Sequence, residues 1–210
     1  MSSEERFELA IGRFDKANAE DPRRETFAGR EHPKELLYGQ RMSAWLERIE
    51  PGAPEAVRLA VRAQHIRRWK IPRSNYPMNR PGYRAWRSNL GKFHAETAGA
   101  ILSEAGYDGE TIARVQSLLR KERLKTDPDC QLLEDVACVV FLEFYFEDFR
   151  QEHDEPKLVN IIRRTWRKMS EKGHAAALKL KMSPRARDIV EKALTEQAAF
   201  PAVETSALKR

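Results

Sequence analysis

Two histidines frame the segment of this chain most able to do chemistry. Between His65 and His94 lie seven arginines and lysines before Lys92, three prolines, and four tryptophans and tyrosines (Trp69, Tyr76, Tyr83, Trp86). Imidazole is a metal ligand or a proton carrier near neutral pH. Arginine meets phosphate with a planar fork of donors, and aromatic faces stack on rings. The combination predicts a metal or anion site with its own cationic collar. The competing reading is a surface loop pinned to the core by its aromatics.

A third candidate lies far downstream. In LLEDVACVV, Asp135 follows Leu132 by three residues, adjoins Val136 and precedes Val139 by four. An ionised carboxylate on that apolar face must be paired, hydrogen-bonded or metal-bound. Glu134 is adjacent and is the alternative inward acid. His65 follows Val57, Ala60 and Val61, and His94 opens a stripe of Ala98, Ile101 and Leu102. His65, His94 and Asp135 are therefore the candidate metal set, for zinc, iron or manganese. Each also has an ordinary reading, as a hydrogen-bonded core histidine or an aspartate that caps a helix or pairs with arginine. Arg73, Arg80, Arg87 and Lys121 are the candidate phosphate contacts, with Tyr76, Tyr83 or Trp86 to stack on a bound ring.

Helices must position these side chains. Apolar residues recur at three and four with almost no alternation, which predicts an all-α protein of about seven or eight helices. The first is expected over residues 3–19, followed by a polar connection, and the second from Lys34 to the Pro51-Gly52 stop. A third begins near Pro54 and is expected to reach Trp69, where Pro72 stops it. Residues 71–82 form an ordered, non-helical insert rich in Pro, Arg and aromatics. A fourth helix runs from Tyr83 to Ala105 with Gly106 as its stop, and a fifth covers the stretch after YDGE. The sixth is expected unbroken over 128–152, with further helices near 156–171 and 184–199 and a frayed tail at 200–210.

The bulk numbers narrow the class. The 210 residues suffice for one domain with a sizeable core, and 41% hydrophobic against 33% charged residues argues against disorder. A net charge of +6 favours an acidic partner or anionic substrate. Cys130 and Cys138, eight apart, are read as reduced thiols of a cytoplasmic protein. The longest apolar run, residues 136–142, is too short to span a bilayer. His153 and His174 lie in polar surroundings and are expected to be exposed. There is no P-loop, dinucleotide-binding glycine fingerprint, nucleophile elbow or paired CxxC.

The strings HIRRWKIPRSNYP, GYRAWR, KFHAE and LLEDVACVVFLEFYF resemble the domain of unknown function 4202 family, over most of the chain. More distantly, residues 35–143 resemble the HD superfamily of helical metal-dependent phosphohydrolases. That resemblance places His65 on the histidine of the His-Asp pair, His94 on the following metal-site histidine and Asp135 on the distal aspartate. It departs where Ile66 stands in place of the paired aspartate and Tyr38 in place of the early histidine; Lys121 falls where some members carry another histidine. The resemblance implies a reduced, single-metal HD-like site, or a metal-free pocket in which Glu134 or Asp135 pairs with Lys121 or an arginine.

These readings converge on a metal-dependent hydrolase of a phosphorylated, nucleotide-like small molecule. The alternative is a non-catalytic RNA- or nucleotide-binding protein on a degenerate HD fold. Interleaved cations and aromatics suit single-stranded RNA, and the basic run after Asn160 adds a second surface for it. A mononuclear iron oxygenase is a third reading.

Overall fold

The computed structural model describes residues 1–199, with side chains through 195. The expected frayed tail at 200–210 lies outside the described residues. The described chain forms ten α-helices and one two-stranded antiparallel hairpin. Its contacts divide it into two compact units, residues 1–137 and the residues from 138 onward.

In the first unit, α1 (Ser3–Ala19) matches its expected bounds because Ser2 and Glu5 form a reciprocal capping box. The connection that follows is not irregular. β1 (Arg24–Phe27) pairs with β2 (Arg30–Pro33), and Ala28 and Gly29 both take positive φ at the turn. This backbone matches the twist of a tight hairpin. α2 (Lys34–Ile49) starts directly from β2.

α3 (Glu55–Arg62) ends well short of the expected Trp69. The chain turns through residues 63–67 instead and re-forms only a short 3₁₀ turn, Arg68–Lys70. Arg67 is left-handed, with φ of 51°, and its N–H donates to Asn18 Oδ1 across 2.9 Å. Asn18 is almost fully buried on α1, so a side chain distant in sequence breaks the helix.

The insert is ordered. It contains a second 3₁₀ turn, Arg73–Asn75, and gives way to α4 (Arg80–Glu104) three residues earlier than expected. Asn79 caps α4 by accepting from the Gly82 N–H at 2.9 Å. A Cβ at Gly82 would stand 2.1 Å from the Pro77 carbonyl oxygen, so only glycine allows this approach. Trp86 donates from Nε1 to the Ile71 carbonyl at 2.9 Å and is buried, which ties the insert to α4.

α4 stops at Gly106, whose φ is +85°, and α5 (Gly109–Arg120) begins from the Asp108 cap. α4 and α5 pack closely: at Gly99 a Cβ would meet Gln116 Nε2 at 2.3 Å. Val57, Leu59, Val61 and Ile66 are fully buried in this unit with Phe14, Met42, Leu102, Val115, Leu118 and Leu133.

The division between units falls within α6 (Pro128–Val140). The expected unbroken helix to residue 152 is interrupted by one π turn, Phe141–Tyr145, before α7 (Phe146–Gln151). α8 (Glu155–Trp166) ends earlier than expected, and a separate α9 (Glu171–Ala177) precedes α10 (Pro184–Ala199). These two breaks raise the helix count above seven or eight. Phe146 and Ile162 are the fully buried large side chains here. The expected exposure of His153 and His174 is corrected. His174 lies flat on Trp166 at 4.2 Å and donates from Nε2 to the Trp166 carbonyl, and His153 meets the edge of Phe149 at 4.4 Å. No helix among the described residues is long and apolar enough to cross a membrane.

Candidate functional site

The break after α3 builds the site. Because the chain turns at residues 63–67, Ile66 is fully buried and its carbonyl faces α4, where it accepts from His94 Nδ1 at 2.8 Å. That bond fixes the tautomer. With the proton on Nδ1, Nε2 carries a lone pair. His94 is only 4% exposed, and its Nε2 is buried without any partner.

His65 is fixed differently. Arg68 lies three residues on, and its guanidinium meets His65 Nε2 at 3.0 Å. A guanidinium only donates, so Nε2 accepts and Nδ1 holds the proton. Nδ1 then donates to Glu35 Oε2 at 3.2 Å. The Tyr38 ring stacks on the other side of His65, 4.0 Å away and nearly parallel. The two imidazoles lie 6.0 Å apart, centre to centre.

Behind His65 runs a buried polar chain. Glu35 is 3% exposed and also takes 2.7 Å contact from Arg23, which bridges it to the fully buried Asp21. The Glu35 N–H donates to Asp21 Oδ2 at 3.1 Å. Burial pushes the Glu35 carboxyl above its ordinary range, against the pull of Arg68 and Arg23. Burial pushes His94 down to about 3, with the neighbouring His65 adding to it. His65 is held well below 6.5 by burial and then by Arg68, Arg87, Lys121 and Arg23. Both rings are therefore neutral at pH 7.

Both histidines line a cleft of about 450 Å³. Five cations line it too: Arg68, Arg87, Lys92, Arg120 and Lys121. Its only acidic lining residue, Glu122, is engaged by Arg120 at 2.6 Å. Lys121, left-handed at the end of α5, pairs with the buried Glu134 on α6. Gln64 also lines the cleft, with its Oε1 buried and unpartnered. The volume suits a small molecule and the charge suits an anion.

Asp135 is 1% exposed, and its Oδ1 accepts from Gln131 Nε2 at 3.0 Å. Both acids of the Glu134-Asp135 pair are thus buried, and Glu134 is the one joined to Lys121. His94 has the posture of a metal ligand, its second nitrogen held by a carbonyl. Yet the His65 lone pair is engaged by Arg68. Among the described residues no group of three or more His, Cys, Asp and Glu side chains is gathered to hold a metal ion. His94 Nε2 and the Gln64 amide oxygen are the unpartnered donors of the cleft, short of the roughly three or four ligands that such an ion takes.

Of the anticipated phosphate and ring contacts, Arg87 and Lys121 line the cleft. Arg73 instead closes the insert, donating to the Tyr76, Pro77 and Asn79 carbonyls. Tyr76 accepts from Asn89 at 2.9 Å, Arg80 is exposed at the start of α4, and Trp86 anchors the insert while Arg68 lies 4.8 Å over its ring. The sequence reading missed Glu35 and Arg68. Arg68 was signalled by its spacing of three from His65. Glu35 carried only the weak signal of an acid on the buried stripe of α2, three residues before Tyr38. Both cysteines are free, as the sequence suggests, and both are buried.

The chain belongs to the family described as domain of unknown function 4202, whose model matches residues 8–190. No curated protein and no solved structure matches it.

Proposed function

We propose that this member of the family is a hydrolase of a phosphorylated, nucleotide-like small molecule, held in the cleft between the turn that follows α3, α4 and the end of α5. One observation carries the reading. Five cations converge on a cleft whose wall holds a buried, unpartnered imidazole nitrogen, with one acid in the lining and that one already paired. Arg68 and Arg87 supply fork-shaped donors to a phosphoryl group, and Lys121 adds a point charge. Burial raises the strength of these interactions above their value in water. The Glu35–His65–Arg68 chain holds Arg68 at the cleft wall, so the cation is oriented before the ligand arrives. The HD-type resemblance of the sequence points to the same reaction class. A metal bound at His94 would supply Lewis acidity to that reaction, though the donors present do not assemble a ligand set for it.

Thermal melts with inorganic phosphate, nucleoside phosphates and a short RNA test the reading, alongside release of phosphate. A ligand at a hundredfold excess over Kd should raise Tm by about 5–10 °C in wild type and less in Arg87→Ala. If no phosphorylated small molecule stabilises the protein or is hydrolysed, the reading fails. Stabilisation by RNA alone, steeply lost with salt, would replace it with the nucleic-acid alternative.

A further inference from the structure

We infer that His94 Nε2 is the nucleophile of this cleft and that its substrate is a phosphoanhydride, such as a nucleoside polyphosphate or an acyl phosphate. This rests on the hydrolase reading above. The observation behind it is a mismatch. A buried acceptor normally has a donor. His94 Nε2 has none, its side chain is only 4% exposed, and the residue lines a basin of five cations, none of which donates to it. A lone pair so placed suits an electrophilic centre that carries negative oxygens around it. A phosphoryl group is such a centre: its phosphorus takes the lone pair, and its oxygens take the cations.

The Ile66 carbonyl completes the arrangement. When Nε2 bonds to phosphorus the ring becomes cationic, and the Nδ1–H already donates to that carbonyl at 2.8 Å. The bond strengthens as charge develops, which offsets part of the cost of placing that charge in a buried site. The step balances. The Nε2 lone pair forms the N–P bond as the P–O bond to the leaving group breaks, and that oxygen departs with the electron pair. Water then attacks phosphorus, the N–P electrons return to Nε2, and the two protons of water go to phosphate and solvent.

The leaving group fixes the substrate class. An alkoxide needs a proton as it leaves. Neither imidazole in the cleft is protonated at neutral pH, and the lining acid Glu122 is ionised against Arg120. A phosphate or carboxylate leaves as a stable anion and needs only the cations.

The experiment incubates the full chain with acetyl phosphate and, separately, with ATP, and quenches without acid. Intact-mass measurement should show one added phosphoryl group, stable to alkali and lost in acid, and peptide mapping should place it on His94. His94→Asn retains an amide donor for the Ile66 carbonyl and lacks the nucleophile; it should lose the adduct and at least 100-fold of turnover. Arg87→Ala, on an exposed face, should slow adduct formation about tenfold. Continued hydrolysis with no adduct on His94 under rapid quench, or full activity in His94→Asn, overturns the nucleophile and leaves the hydrolase reading standing. Absence of any binding or phosphate release in wild type overturns both.

Discussion

His94 Nδ1 donates to the backbone carbonyl of Ile66 across 2.8 Å, and this one bond decides which nitrogen is left with a lone pair and no partner. Its partner lies in the turn that Asn18 forces after α3, so the orientation of a ring on α4 depends on a side chain of α1. Asn18→Ala should therefore loosen the site from a distance. It leaves the Arg67 N–H without its acceptor and the left-handed turn without its tie. We expect a loss of roughly 1–3 kcal/mol, from a buried group left unsatisfied, in urea unfolding. Ligand-induced stabilisation should weaken as well. An unchanged melt and unchanged ligand response would show that the turn holds itself.

Acid should expose the two neutral rings. The folded pKa of His94 is about 3 and that of His65 is well below 6.5, both driven first by burial. As pH falls below about 6.5 the unfolded chain takes up protons that the folded chain refuses, so stability is full above that pH and declines below it. Each ring contributes a slope of about 1.4 kcal/mol per pH unit. Glu35, raised by burial, acts oppositely, since its contribution is lost as pH rises through its folded value. Glu35 and His65 are present in wild type and in His94→Asn alike, so the difference between the two isolates His94. The variant should show a shallower decline between about pH 6 and pH 4, by close to one proton. Identical slopes would mean that His94 protonates freely in the folded state.

What the sequence revealed, and what it hid, follows the range of the forces involved. The ends of α1 and α4 were legible because their signals are local: a Ser2–Glu5 capping box in one, Gly106 in the other. The break after Arg62 was not, since the apolar stripe continues through Ile66 and only a contact with Asn18 turns the chain away. The hairpin was hidden because Ala28 occupies a positive-φ position usually held by glycine or asparagine. In the site, His65, His94, Arg87 and Lys121 were visible as polar or cationic residues on otherwise apolar or collar positions. Glu35 was invisible because its partners, Asp21 and Arg23 before the hairpin and His65 after α3, come from two other segments. Arg73 was misleading: its charge suggested phosphate, while its donors serve the insert's own carbonyls.

The insert has a single steric pivot. At Gly82 a Cβ would meet the Pro77 carbonyl oxygen at 2.1 Å and its carbon at 2.9 Å. Glycine to alanine within a helix usually stabilises by about 0.5–1 kcal/mol. Here Gly82→Ala should destabilise by about 1–3 kcal/mol, because backbone must shift to make room. Tryptophan fluorescence should report it through Trp86, whose indole bonds to Ile71 in the same insert. A stabilised variant would show that the insert adjusts without strain.

Two cations of the cleft should separate binding from folding. Arg87 is exposed on α4 and carries no buried partner, so Arg87→Ala should weaken phosphate affinity about tenfold, or about 1.4 kcal/mol, while the unliganded melt stays within roughly 0.5 kcal/mol. Lys121 differs, since its ammonium pairs with Glu134, whose side chain is only 7% exposed. Lys121→Ala leaves that carboxylate buried beside a gap and should cost about 3 kcal/mol or more in stability. The double variant Lys121→Ala/Glu134→Gln removes the stranded charge and should recover much of that stability without recovering phosphate affinity. If the double variant binds phosphate as wild type does, Lys121 serves the fold alone. Dialysis against a chelator should leave the phosphate affinity of wild type intact, because the attraction comes from protein cations; a collapse of affinity that added metal restores would assign the anion contact to an ion instead.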